Sequence, residues 1–103
     1  MVKIPAHLTP ASKKWFKSIV TDFDLESFDI RRLTTACETW DLSQKAAEQV
    51  EKEGLTVLDR FNQPKPHPLL TTIRDQRALF LKAVKDLGLD VEAPGPIGRP
   101  SGR

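Results

Sequence analysis

Several features that define membrane, disulfide-bonded or catalytic proteins are missing from this 103-residue chain. No segment approaches the roughly 18 consecutive apolar residues of a membrane-spanning helix, and the amino terminus lacks the apolar run of a signal peptide. Cys37 is the only cysteine, which excludes an internal disulfide and fits a reducing cytoplasm. We therefore expect the protein to remain in the compartment where it is made.

Catalytic and metal-binding motifs are equally scarce. The sequence contains no HExxH or CxxC spacing and no GxxxxGK[ST] phosphate-binding loop. His67 lies between two prolines and is predicted to be a turn or capping residue, whereas Cys37 is predicted to be a buried thiol. These observations argue against an enzyme and predict no metal and no cofactor.

The net charge of +2 is too small to indicate nucleic-acid binding, but the charges are unevenly distributed. Residues 1–20 carry four lysines and no acid, and residues 21–30 carry four acids and no base. This division predicts a basic surface beside an acidic one, with ordinary solvated faces as the alternative.

The first predicted helix begins at Thr9-Pro10, a threonine cap followed by proline at the first helical position. Apolar residues recur along it at helical spacing, and Lys13, Lys14 and Lys17 fall on the opposite face. The apolar stripe comprises Ala11, Trp15, Phe16, Ile19, Val20 and Phe23.

A second helix of about 25 residues is predicted to start at a cap formed by Asp29 or Ser27 and to stop at Gly54. Leu42 and Ala46 are predicted to project away from its apolar stripe. That stripe comprises Ile30, Leu33, Ala36, Cys37, Trp40, Ala47 and Val50.

Between the second and third helices, residues 55–63 predict a short extended arm or a small hairpin, and the prolines that follow argue against a continued sheet. The third helix is predicted to run from Pro68 to Leu87-Gly88. Arg77 lies inside its apolar stripe and Leu79 outside it. The stripe comprises Leu69, Leu70, Ile73, Phe80, Leu81, Val84 and Leu87.

Together these elements predict an all-α fold with three main helices. The second and third should form a long antiparallel hairpin, with the first helix across them. The residues predicted to pack this hairpin are Trp40, Leu33, Ile73 and Phe80. Residues 1–89 form the predicted helical domain, and residues 90–103 form a flexible tail rich in proline and glycine.

The order of these motifs resembles the small subunit of phage terminases, over about residues 4–89. The chain departs from that family's pattern at Asp90–Ala93, which follow the Leu-Gly-Leu motif. The motifs are Leu8-Thr9-Pro10 through Trp15 and Ile19, then Asp29, Leu33, Ala36-Cys37, Trp40, Ala47, Val50 and Gly54, and finally His67-Pro68-Leu69-Leu70 and Leu87-Gly88-Leu89.

The resemblance implies a non-catalytic DNA-packaging subunit in the host cytoplasm. Such proteins recognise double-stranded viral DNA, assemble into homo-oligomeric rings and deliver the DNA to a large subunit that carries the ATPase and nuclease. A helix-turn-helix regulator and a helical protein-binding adaptor remain as alternatives.

Two groups of residues are candidates for these roles. Clustered positive charges suit phosphate binding, and leucines outside the apolar stripes suit a contact between subunits. The candidates for DNA contact are Lys13, Lys14, Lys17, Arg31, Arg32, Arg99 and Arg103. The candidates for the oligomer interface are Leu42, Leu79 and Arg77.

Overall fold

The computed structural model describes residues 2–89, and these residues confirm the mostly helical architecture with a short hairpin. The predicted tail, including Arg99 and Arg103, lies outside the described residues. The elements in chain order are α1 (Pro10–Asp22), α2 (Ser27–Glu53), β1 (Thr56–Leu58), β2 (Pro64–Pro66) and α3 (Leu69–Leu87).

The start of α2 differs from the prediction. The residue that caps the helix is Glu26, not Asp29 or Ser27. Asp29 lies inside the first turn, where its Oδ2 accepts the Glu26 backbone N–H at 3.2 Å. A carboxylate in this position satisfies a backbone donor that the helix leaves free and complements the positive end of the helix dipole. The helix therefore begins earlier than predicted.

The helices α2 and α3 run antiparallel, and α1 packs against both of them. Phe80 lies at the centre of this packing, with its ring centroid 5.0 Å from that of Trp40 and 5.7 Å from that of Trp15. Leu33 and Phe16 are fully buried beside them. The predicted arrangement of the three helices is thus confirmed.

Three predicted side-chain directions are wrong. Phe23, predicted on the apolar stripe of α1, is 37% exposed because it follows the last turn of that helix. Ala46 is buried together with Ser43 and Val50, one turn away on either side, so the buried sector of α2 is wider than the predicted stripe. Leu81 is 65% exposed, because it follows Phe80 by one residue and the helical turn rotates it away from the core.

The segment after α2 forms a small antiparallel hairpin, one of the two predicted forms, but its second strand covers Pro64–Pro66, where the prolines were expected to argue against a continued sheet. Pro64 pairs with Leu58 and Pro66 with Thr56. Backbone hydrogen bonds from His67 to Leu55 and from Asp59 to Gln63 bracket these pairs. Since hydrogen-bonded pairs alternate along an antiparallel ladder, both prolines fall where no N–H is needed.

Candidate nucleic-acid interface

The three lysines of α1 lie on its outer side, as the helical spacing predicts. Trp15, Phe16 and Ile19 are buried on the inner side, whereas Lys14 and Lys17 are exposed and Lys13 is half-buried. Among residues 2–89, no carboxylate forms an ion pair with any of these lysines. Their charges are therefore available to an anionic partner.

Asp41, near the middle of α2, fixes the start of α1. Its carboxylate accepts hydrogen bonds from the Thr9 backbone N–H at 3.0 Å, the Thr9 hydroxyl at 2.8 Å and the Ser12 hydroxyl at 2.5 Å. Thr9 in turn accepts the Ser12 N–H, which completes the predicted cap. The sequence analysis missed Asp41. Its position next to the core residue Trp40 was a usable signal that this carboxylate lies near another helix.

A second basic surface lies between the first half of α2 and the last half of α3. We call this depression, which has a volume of about 310 Å³, the basic groove. Its cations are Arg31, Arg32 and Lys82, the last of which the sequence reasoning missed. The groove is lined by Arg31, Arg32, Thr35, Thr39, Leu79, Lys82, Ala83 and Asp86.

Two cations of the basic groove have acidic partners within the chain. Arg32 lies 3.8 Å from Asp29 and its guanidinium stands over the Phe28 ring at 5.2 Å. Lys82 binds Asp86 at 3.2 Å. Arg31 has no ion-pair partner among the described residues. These acidic partners lower the net positive charge at the basic groove below the sum of its three cations.

The structure regroups the predicted site residues. Arg31, Arg32 and Leu79 line one groove, although Leu79 was predicted to serve oligomer formation and the arginines DNA contact. Leu42 follows the groove residue Thr39 by about one helical turn, and Leu42 and Leu79 are 45% and 50% exposed. The lysines of α1 do not line this groove.

Arg77 borders a different depression, which lies between the second half of α2 and the start of α3. This apolar groove has a volume of about 530 Å³. Arg77 donates a hydrogen bond to Gln44 at 3.1 Å and stands over the Trp40 ring at 5.8 Å. The groove is lined by Ala47, Val50, Glu51, Gly54, Leu55, Leu70, Ile73 and Arg77.

His67 has the structural role that its position between prolines predicts. Its Nδ1 accepts the Leu69 backbone N–H at 3.0 Å, so the proton is on Nε2, which donates to Glu53 at 2.6 Å. This bond, together with one from Gln49, lowers the pKa of the Glu53 carboxyl. The buried imidazole thus joins the end of α2 to the start of α3.

Cys37 is also structural. Burial, together with the nearby carboxylates of Asp41 and Glu38, raises the pKa of its thiol to about 12. Within residues 2–89, no cluster of His, Cys, Asp or Glu could hold a metal ion. In the same range, no helix is long and apolar enough to cross a membrane.

Residues 2–89 define a small helical protein built on an antiparallel helix pair, with a basic helix face that has no acidic partner among these residues and with the two surface grooves described above. The chain matches the family described as phage terminase, small subunit, over residues 8–100, and it belongs to that family. Neither the curated proteins nor the solved structures contain a significant match. Members of this family are generally the non-catalytic subunit in phage DNA packaging, which takes place within the host cell.

Proposed function

We propose that this chain recognises viral double-stranded DNA, assembles with copies of itself into a ring and delivers the DNA to the large terminase subunit. The observation that carries the DNA contact is the α1 surface formed by Lys13, Lys14 and Lys17, which has no acidic partner among the described residues. Phosphate binding needs such compact, unpaired positive charge. Family membership supplies the packaging role.

The α1 lysines are better suited to phosphate than the basic groove. Asp29 and Asp86 lie beside two of the groove's three cations and would repel a phosphate. Arg31 has no such neighbour and remains a candidate, as do Arg99 and Arg103. Assembly would repeat the α1 surface around a ring, so that weak contacts add up to firm binding.

Leu42 and Leu79 are the proposed contact between subunits. Both are exposed leucines on the long helix pair, and the structure places Leu79 in the basic groove and Leu42 about one turn from it. Single exposed leucines are ordinary, but two near one groove favour a neighbouring protein surface.

Binding of duplex DNA from the packaging start region, measured by mobility shift across a salt series, tests the proposal. We expect affinity to fall linearly with salt on logarithmic axes, because bound phosphates release counterions. Absence of salt-sensitive binding at about 50 mM salt would instead identify a protein-binding adaptor.

A further inference from the structure

The hairpin presents three of the four most exposed large apolar side chains of the described residues, the fourth being Leu81 of α3. Leu55 and Phe61 are each 68% exposed and Leu58 is 61% exposed. Leu55 lies at the base, where it lines the apolar groove, whereas Phe61 lies in the turn beyond β1. Leaving three such side chains in water within seven residues is unfavourable unless a partner covers them.

The backbone of the turn has a defined shape, which fixes the position from which the Phe61 side chain projects. Asp59 Oδ1 accepts the backbone N–H groups of Phe61 at 2.8 Å and of Gln63 at 3.0 Å. Asn62 adopts a positive φ of 66°, which suits asparagine. A preformed turn loses little conformational freedom on binding.

The apolar groove provides the matching surface. Val50, Leu70 and Ile73 contribute apolar walls, and its volume of about 530 Å³ exceeds what a single aromatic side chain fills. The chain's own Phe61 does not enter it, since that ring is mostly in water. The groove is therefore open to the Phe61 side chain of another molecule.

The charges at the two surfaces are complementary. At the groove, Arg77 and Glu51 have no ion-pair partner among the described residues. At the hairpin, Arg60 likewise has no acidic partner and stands over the Phe61 ring at 5.0 Å, and Asp59 uses only Oδ1 in hydrogen bonds. Each surface thus offers one cation and one anion beside an apolar centre.

We propose that the apolar groove receives the hairpin turn of a second copy of this chain, with Phe61 in the groove, Arg60 beside Glu51 and Asp59 beside Arg77. This inference rests on the self-association proposed above and adds a second contact surface to the one proposed at Leu42 and Leu79. The turn that carries Phe61 does not line the groove, which includes only Leu55 from the base of the hairpin. A head-to-tail contact between turn and groove can therefore be repeated around a ring.

Multi-angle light scattering of the full chain tests the contact. Phe61→Arg should raise the dissociation constant at least about 30-fold, as expected for loss of a buried aromatic anchor, and shift the mass toward the 11.6 kDa monomer. Phe28→Arg changes an exposed phenylalanine at the other end of α2 and should leave the mass unaltered.

A charge exchange tests the orientation. Glu51→Arg and Arg60→Glu should each weaken association about two- to fivefold, as for exposed ion pairs, and the double variant should restore it. Both residues are exposed and have no ion-pair partner among the described residues, and Arg60 contacts only the ring of the exposed Phe61, so folding should not change. Circular dichroism checks the helical content of every variant.

A mixing experiment then separates head-to-tail association from other contacts. Phe61→Arg retains an intact groove, and Leu70→Arg retains an intact hairpin, so an equimolar mixture should form a 1:1 complex that neither variant forms alone. An oligomeric wild type whose mass survives Phe61→Arg would overturn this contact and leave self-association standing. A wild type that is monomeric at millimolar concentration would overturn both.

Discussion

Trp40 of α2 and Phe80 of α3 meet across the antiparallel pair with ring centroids 5.0 Å apart and their planes tilted by 49°. Truncation of Trp40 to alanine removes this contact and leaves a void that the neighbouring helices fill only in part. We expect a loss of about 3 kcal/mol in the free energy of unfolding. Urea denaturation measures it.

The matched control is Leu81→Ala, because Leu81 is on the same helix as Phe80 but 65% exposed. Its effect should stay within about 0.5 kcal/mol. A similar loss in both variants would contradict the assignment of the core to the aromatic cluster.

Replacing Lys13, Lys14 and Lys17 together by glutamate should weaken DNA binding alike at all sequences, because phosphate contacts carry little base information. If each lysine neutralises one phosphate, the salt slope should fall by about 2.7. Fluorescence anisotropy across a salt series measures both quantities.

A control with the same total charge replaces the exposed Lys45, Lys52 and Lys85 by glutamate. It should retain more affinity and a steeper salt slope than the α1 variant. Equal losses would show that only net charge matters, and an unchanged α1 variant would move the contact toward Arg31, Arg99 and Arg103.

Leu42→Glu or Leu79→Glu should shift the protein toward monomer while leaving helical content nearly intact, because both side chains are already half in water. Size exclusion with light scattering measures the mass. Ala78→Glu, an exposed neighbour of Leu79 on another side of α3, is the control and should leave the mass unchanged. Retention of the oligomer in both leucine variants would exclude this surface from the interface.

Cys37 should resist thiol reagents in the folded protein. At pH 8, a pKa raised from 9.0 to about 12 lowers the reactive thiolate fraction about a thousandfold, and burial slows access further. Labelling by a maleimide, followed by mass spectrometry, should be negligible in buffer and rapid in urea. Cys37→Ser gives the background, and rapid labelling in buffer would contradict a closed core.

The hydrogen bond from His67 to Glu53 should make stability depend on pH in the acid range. Because the pKa of Glu53 is lowered in the folded state, its contribution is present above the ordinary value of 4.5 and is lost as pH falls through the lowered value. The stability difference between wild type and Glu53→Gln should therefore shrink below pH 4.5. Glu48→Gln is the control, because the exposed Glu48 side chain has no hydrogen bond within residues 2–89.

Local signals in the sequence predict most helix ends well. Thr9-Pro10 starts α1, and Gly54 and Gly88 end α2 and α3, through the backbone conformation of these residues themselves. The start of α2 was missed, since whether Asp29 caps the helix or lies in its first turn depends on backbone geometry. The direction of Ala46 depends on how α3 packs, which the periodicity of α2 alone does not contain. Pairing by Pro64 depends on register, which only the closed hairpin determines.

Only part of the candidate site could be predicted from the sequence, because local spacing is visible there and the packing of distant residues is not. Helical spacing alone places Lys13, Lys14 and Lys17 on one face. The proximity of Arg31 to Leu79, by contrast, requires knowing which turns of α2 and α3 are adjacent. The apolar groove, formed by residues such as Val50 and Leu70 from two helices, has no local signature in the sequence.

The hydrogen bonds that Thr9 and Ser12 donate to Asp41 tie the first turn of α1 to the middle of α2. The basic groove lies along the first half of α2 and the apolar groove along its second half. The lysine-bearing helix therefore starts at a point of α2 that lies between the two grooves, so one long helix joins all three surfaces.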